Sequence, residues 1–352
     1  MRILITHELF PPDIAGGGEK LVLRLTKWLA GRGHSVEVVT SGNPRIRSYD
    51  GIRTVRVPVN RYLMNFAGLP AALGHGRRAD VIQTSSGNMC LPSYVAARLL
   101  GKPVCCWVHH ILGGYWRDIR GPFVGRLFEI MERLMLTRRF DAYVFQNESS
   151  KRMGVAMGID AKKVRMITPG VDLKTFSPSP AVKRDGSVLF VGSIVMDEPA
   201  IRTKGLKYVL DAAKMLSDVT FKILGKFERR MESVGNVRWL GTVDQRGLVA
   251  AYRRAGVFVC ASLNEGFGLA ILEAMACGCP IVSTVDIGQV GPKVRPKDAK
   301  ALATAIRSYL DNPRKAAADG KKNAALARGH TWDDFYRSFE KIYNDLNKHR
   351  SK

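Results

Sequence analysis

One stretch concentrates residue types that can do chemistry: Ser262-Leu263-Asn264-Glu265-Gly266-Phe267-Gly268-Leu269-Ala270-Ile271-Leu272-Glu273-Ala274-Met275-Ala276-Cys277-Gly278-Cys279-Pro280. Glu265 stands in a loop after an apolar run ending at Ala261. Gly266 and Gly268 permit close backbone approach at a helix start, where the unpaired amides of a first turn favour an anion. Glu273 follows inside an otherwise apolar helical stretch. An ionised carboxylate there is costly without a hydrogen-bonding partner, and a ribose diol would serve. The competing reading makes Glu265 a solvated loop acid and turns Glu273 to water. Gly16-Gly17-Gly18, between a strand and an apolar helix, suits phosphate approach, although a triple glycine is also an ordinary turn. His109-His110 follows an apolar run. Adjacent histidines in extended chain point to different sides and no carboxylate pair accompanies them, so no metal site is expected.

These groups must be positioned by alternating strands and helices. Arg2 to Thr6 reads as a buried strand, and Leu21, Val22, Leu25, Trp28 and Leu29 recur at helical spacing after the glycines. Ser35 to Thr40 forms the next strand. Asp80 to Gln83, Val104 to Val108 and Ala142 to Phe145 read as further strands, with helices over Ser93–Leu100 and Phe123–Arg139. Pro169-Gly170 and Ser177-Pro178-Ser179-Pro180 mark a linker. The alternation then restarts: strands at Val188–Gly192, Thr220–Leu224, Val237–Leu240, Val257–Ala261 and Pro280–Ser283. Helices fall at Gly205–Leu216, Gln245–Arg254 and Gly268–Ala276, and the last runs from Trp332 to Leu346. The length of 352 residues suits two domains. The fold class expected is α/β, two doubly wound parallel sheets, with ligand at the strands' carboxyl ends in a central cleft.

The motif Glu265-x7-Glu273, embedded in Glu-Gly-Phe-Gly-Leu-x3-Glu-Ala-Met-Ala-x-Gly-x-Pro, resembles the signature of the retaining nucleotide-sugar glycosyltransferases of family 4, which have the GT-B fold. Other landmarks fall in the same order. They are Pro11-Pro12, Gly16-Gly17-Gly18-Glu19, Leu29-Ala30-x-Arg32-Gly33-His34, Pro169-Gly170-Val171-Asp172, Phe190-Val191-Gly192 and Lys204-Gly205-Leu206. The resemblance implies transfer of a hexose from a nucleotide diphosphate sugar to a lipid-linked or glycan acceptor, with no metal or other cofactor. It implies a Rossmann-like acceptor domain over residues 1–178 and a donor domain over 186–330, with a terminal helix, 332–350, returning to the first. Carried over residue by residue, Glu265 would contact the donor sugar near the reacting carbon, and His109 would sit near sugar and acceptor. Lys204 would neutralise the leaving diphosphate. Phe267, Gly268 and Leu269 would hold sugar or phosphate through their amides, Glu273 would bind the ribose, and Gly17 and Gly18 would approach the donor phosphate.

Three positions depart from the family pattern. Ser193 stands where an arginine is usual, and Arg202, beside Lys204, is expected to replace that cation. Gly225-Lys226-Phe227 replaces a Gly-x-Gly turn, and the loop after Ser283 is shortened to Asp286-Ile287-Gly288-Gln289 before Gly291-Pro292. These departures leave room for a degenerate, non-catalytic member. A sugar-nucleotide epimerase on the same fold is a second alternative, separated by product analysis without acceptor.

The net charge of +24 points to anionic partners. A nucleic-acid binder is permitted by charge, but no recognition motif or stacking platform accompanies it, so no specific nucleic-acid partner is expected. Six scattered cysteines imply reduced, partly buried thiols and a cytoplasmic setting. No run spans a bilayer. An anionic membrane surface at the inner face of the cell membrane is the remaining partner, and Arg61 to Arg78, with Tyr62, Leu63 and Phe66, reads as an interfacial segment. Gly113 to Arg139 has similar composition, but Leu127, Ile130, Met131 and Leu134 fit ordinary core spacing, so a core-facing helix is expected there.

Overall fold

The computed structural model describes residues 1–13, 17–192, 203–226 and 235–350. Short apolar runs buried on both faces form its central strands, as parallel sheets covered by helices require. In the first half these are β1 (Arg2–Thr6), β2 (Ser35–Ser41), β3 (Ser48–Tyr49), β4 (Ile52–Val57), β5 (Val81–Ser85), β6 (Val104–Trp107), β7 (Ala142–Phe145) and β8 (Val164–Met166). They lie in the order β3-β4-β2-β1-β5-β6-β7-β8, parallel except for the β3–β4 hairpin. The second half contributes β9 (Val188–Val191), β10 (Phe221–Leu224), β11 (Val237–Gly241), β12 (Val257–Cys260) and β13 (Ile281–Ser283). Their order is β11-β10-β9-β12-β13, all parallel.

The helices of the first half are α1 (Gly17–Gly31), α2 (Met64–Gly76), α3 (Cys90–Leu99), α4 (Trp116–Arg120), α5 (Pro122–Leu136) and α6 (Glu148–Met157). Those of the second are α7 (Leu206–Met215), α8 (Gln245–Arg254), α9 (Leu269–Ala276), α10 (Ala299–Leu310) and α11 (Pro313–Ala327). Local chemistry sets several of their starts. Asn147, Asp244, Asp298 and Asn312 each accept an amide of the first turn, and Pro313 follows the last as the first helical residue. The final helix, α12 (Trp332–Arg350), lays Phe335, Phe339, Ile342 and Tyr343 into the core beneath β1, β2, β5 and β6.

The sequence reading differs from the structure in several places. The strands β3, β4 and β8 and the helix α6 were not expected. The six cysteines are free thiols and all buried, Cys260 the least deeply at 8% exposed. The larger correction concerns α5. Leu127, Ile130, Met131 and Leu134 do have helical spacing, but Leu127, Ile130 and Leu134 face outward together with Phe123 and Val124, and Met131 borders a cavity: Phe123 is 89% exposed, Leu127 56% and Leu134 51%. What faces inward is Gly125, whose missing side chain lets Trp116 and Arg117 pass, with Glu132 and Leu136.

Candidate active site

Both sheets change winding direction beside their first strand. In the first, the chain goes from β1 to β2 on one side and returns as β5 on the other; in the second, β9 plays the same part between β10 and β12. Crevices open at the carboxyl ends of strands at such points. A cavity of about 720 Å³ lies there, bounded by His7 after β1, Ser85 at the end of β5, His109 after β6, Gly192 after β9 and Ser262 after β12.

Glu265 reaches this cavity from the loop between β12 and α9. Its Oε1 accepts from Lys204 Nζ at 2.7 Å and from Ser262 Oγ at 2.6 Å. Burial alone would raise its pKa, but the Lys204 ammonium and these hydrogen bonds outweigh burial and hold the carboxyl below its ordinary value. Burial likewise opposes the Lys204 charge, and Glu265 more than restores it. The pair is therefore ionised, a fixed cation beside a fixed anion.

His109 lines the same space. Its Nε2 pairs with Ser85 Oγ at 3.1 Å, its amide donates to Ser86 Oγ, and its ring lies against Trp107 at 4.5 Å between centroids. Burial, then His7 and His110, depress its pKa well below 6.5, so the imidazole is neutral. Gly18, at the start of α1, faces this ring, and a side chain there would meet it at 3.8 Å. Gly17 also lines the cavity. Gly266 lies so close to the His109 carbonyl oxygen that no Cβ fits, and Gly268 holds φ +99°, which L side chains rarely adopt. The amides of Phe267, Gly268 and Leu269 form the start of α9 at the cavity wall, while the Phe267 side chain is buried in the second core.

The structure thus brings Gly17, Gly18, His109, Lys204, Glu265, Phe267, Gly268 and Leu269 to one cavity. Glu273 is not among its lining residues: half-buried on α9, it accepts from Tyr252 OH at 3.0 Å, and burial pushes its carboxyl up to about 7. Arg202 and the loop after Ser193 lie outside the described residues, as does Phe227. Sequence reasoning missed His7, Ser85, Ser262, Gln146 and Asn147. The available signal was position: each lies at, or within two residues of, the carboxyl end of a parallel strand. His7 places Nδ1 2.8 Å from the Leu9 carbonyl, so Nδ1–H donates there and Nε2 is left as an acceptor. Burial keeps it neutral.

One part of the first-half wall is apolar, formed by Trp116, Phe128, Met131 and Met135; it shares the lining with the polar His7, Glu8, Asn88 and His110 and with Arg61 and Arg120. Glu132 ties α5 to the loop that follows His109 by accepting from the amides of Leu112 (3.1 Å) and Gly113 (2.7 Å). Among the described residues, no group of three or more His, Cys, Asp or Glu is arranged to hold a metal ion, and no helix is long and apolar enough to cross a membrane.

Two facing parallel-sheet halves with a cavity between their carboxyl edges define the GT-B class of glycosyltransferase. Solved structures agree on the fold. The sucrose-phosphate synthase of Thermosynechococcus elongatus superposes with a TM-score of 0.75 at 22% identity, covering 98% of both chains. Anabaena Alr3699/HepE, solved in complex with UDP-glucose, gives a TM-score of 0.70 at 17% identity over 98% of this chain and 100% of its own. Residues 15–175 match the family model for glycosyltransferase family 4, and residues 185–312 match that for glycosyl transferases group 1. The chain therefore carries a family 4 glycosyltransferase domain followed by a group 1 glycosyl transferase domain, and it is a glycosyltransferase. Its relatives include the phosphatidyl-myo-inositol mannosyltransferase of Mycobacterium leprae (27% identical, covering 97% of this chain and 96% of the relative). The glycogen synthase of Mycobacterium tuberculosis is 25% identical over 95% and 91%.

Proposed function

We propose that the protein is a retaining hexosyltransferase that moves a hexose from a nucleotide diphosphate sugar to a hydroxyl of a lipid-linked acceptor. The observation that carries this reading is the meeting, in one cavity, of an ionised Lys204–Glu265 pair, a neutral His109 and the amide end of α9. Cleavage of the sugar–phosphate bond develops positive charge on the sugar and negative charge on the diphosphate. Lys204 and the amides of Phe267, Gly268 and Leu269 stabilise the latter, Glu265 the former, and the reading calls for no metal or other cofactor. The bond from the reacting carbon to phosphate oxygen breaks as the acceptor oxygen bonds the same face of that carbon. The acceptor proton passes to the departing phosphate oxygen. Neutral His109, with Ser85 behind it, offers hydrogen bonding to sugar and acceptor without placing a positive charge beside the forming cation. The first half is assigned to the acceptor and the second to the donor.

A lipid-linked acceptor is favoured over a free glycan by the apolar wall of Trp116, Phe128, Met131 and Met135 and by the outer face of α5. There, Phe123, Val124, Leu127, Ile130 and Leu134 are exposed among the exposed arginines Arg120, Arg126, Arg133, Arg138 and Arg139. Tyr62, Leu63 and Phe66 (81% exposed) stand out beside Arg61. This composition supports the reading of a surface that rests on anionic lipid, as at the inner face of the cell membrane. A thermal-shift panel of UDP-, GDP- and ADP-sugars tests the donor reading, because a ligand that binds only the native state raises the melting temperature. One nucleotide class should raise it; a flat response across the panel overturns the reading.

A further inference from the structure

The loop that carries Glu265 belongs to the second half, yet its backbone is held by the first. Asn147 follows β7 and caps α6: its Oδ1 accepts from the Ser150 amide at 2.7 Å. The same side chain turns its Nδ2 across the divide and donates to the carbonyl oxygens of Glu265, at 2.8 Å, and Gly266, at 2.6 Å. Ser150 Oγ adds weaker donations to the Glu265 carbonyl (3.3 Å) and to Asn264 Oδ1 (3.4 Å). Asn264 in turn donates to the Ile111 carbonyl and accepts the Glu265 amide at 2.9 Å. Asn147 is buried, so both of its donor hydrogens are committed inside the protein.

We infer that Asn147 is a positioning residue that sets the Glu265 carboxylate from the opposite half of the molecule. The carboxylate is oriented by Lys204 and Ser262 of its own half, but the main chain from which it projects is fixed by an amide of the acceptor-side half. Glu265 is therefore in place only when the two halves are in register at this point. Gly266, whose bareness lets the His109 carbonyl oxygen touch the loop, completes that fit. The inference deepens the proposed function, resting on Glu265 acting at the sugar.

The test separates capping from positioning. Asn147→Ser keeps a good helix cap and loses the reach and the second donor; Asn147→Asp keeps the cap and turns an acceptor oxygen toward two carbonyls. In the intact chain, hydrogen exchange within α6 should stay as in the wild type in both variants, as in a helix with an intact cap, while the melting temperature falls by a few degrees because two buried carbonyl oxygens lose their donor. Hydrogen exchange at the amides of residues 264–268 should quicken roughly tenfold in Asn147→Ser and further in Asn147→Asp. Nucleotide release from UDP-glucose and from GDP-mannose should lose about 10- to 100-fold in kcat with little change in donor KM, again in that order. Lys297→Ala removes a different contact between the halves, the one Lys297 makes with Asp118 and with the Tyr115 ring at 5.3 Å, and should leave exchange at 264–268 unchanged. Wild-type exchange in both Asn147 variants, or equal losses in both accompanied by faster exchange throughout α6, overturns the inference. Should the wild type turn over neither sugar and no UDP-, GDP- or ADP-sugar raise its melting temperature, the donor reading fails, and the exchange measurements alone decide the role of Asn147.

Discussion

At the residue scale, the Lys204–Glu265 pair and Glu273 show how one motif shifts two carboxylates in opposite directions. Glu265, beside an ammonium, is kept below its ordinary pKa, whereas burial pushes Glu273 up to about 7. Lys204→Ala should cut turnover about 10²- to 10³-fold, the usual loss when a fixed charge partner of the transition state is removed. It also leaves burial unopposed at Glu265, so the residual activity should acquire an acidic limb that a pH–rate profile of the wild type lacks near neutrality. Glu273 works in the reverse sense. Between about 4.5 and 7 the folded protein holds a proton that the unfolded chain releases, so this group's contribution falls as pH rises through that window. Glu273→Gln removes the slope. Relative to the wild type it should gain on the order of 3 kcal/mol between pH 5 and pH 8, read from urea unfolding at both values. If the ribose hydroxyls donate to Glu273, as the family resemblance implies, nucleotide binding favours its ionised form. Calorimetry at pH 6.5 in buffers of different ionisation enthalpy should then show proton release on binding that Glu273→Gln abolishes.

At the element scale, the sequence was legible where the pattern is simple. Short apolar runs alternating with helices located most strands to within a residue or two, and the Glu265 loop with its glycines marked the start of α9. The strand β4 escaped because Ile-Arg-Thr-Val-Arg-Val sets two arginines in an alternating run; Arg56 is buried all the same, donating to the carbonyls of Phe10 and Pro11 and to Asp13 Oδ2 at 2.9 Å. Its partners lie more than forty positions away, where no local pattern could reveal them. The facing of α5, though not the helix itself, escaped in another way. Periodicity tells which face of a helix is apolar but not which face is turned inward. The inward face was selected by the bareness of Gly125 and by Glu132 satisfying two loop amides, both tertiary facts. The exposed apolar outer face of α5 makes a direct prediction. Phe123→Glu with Leu127→Glu should leave the melting temperature unchanged, because both side chains are exposed. The same pair of changes should abolish co-sedimentation with phosphatidylglycerol vesicles at low salt. Vesicle binding that survives both substitutions removes α5 from the membrane reading.

At the scale of the whole molecule, the chain's end completes its beginning. Phe335 and Phe339 of α12 lie 5.9 and 4.7 Å from the Trp107 ring, and Trp107 lies 4.5 Å from His109. Tyr343 OH donates to Gln83 Oε1 on β5, a buried bond between residues 260 positions apart. The histidine at the cavity is thus backed by an aromatic stack whose last members arrive only after the second half has been built. Two consequences separate this arrangement from a pair of independent lobes. Residues 1–178 alone should not form a native first half, because β1, β5 and β6 would leave their α12-facing side uncovered; supplying residues 332–350 as a separate peptide should restore protection, read by hydrogen exchange at β6. In the intact chain, Phe339→Ala opens a cavity beside Trp107 and should cost about 3–5 kcal/mol in urea unfolding. Loss of turnover under native conditions should accompany it, since the Trp107 ring that bounds His109 is then free to shift into the space. Phe339→Leu, which fills more of that space, should recover much of both. Turnover that stays at the wild-type level in Phe339→Ala, with stability reduced as expected, would show that His109 is placed by Ser85 and Ser86 alone and that α12 serves only to cover the sheet.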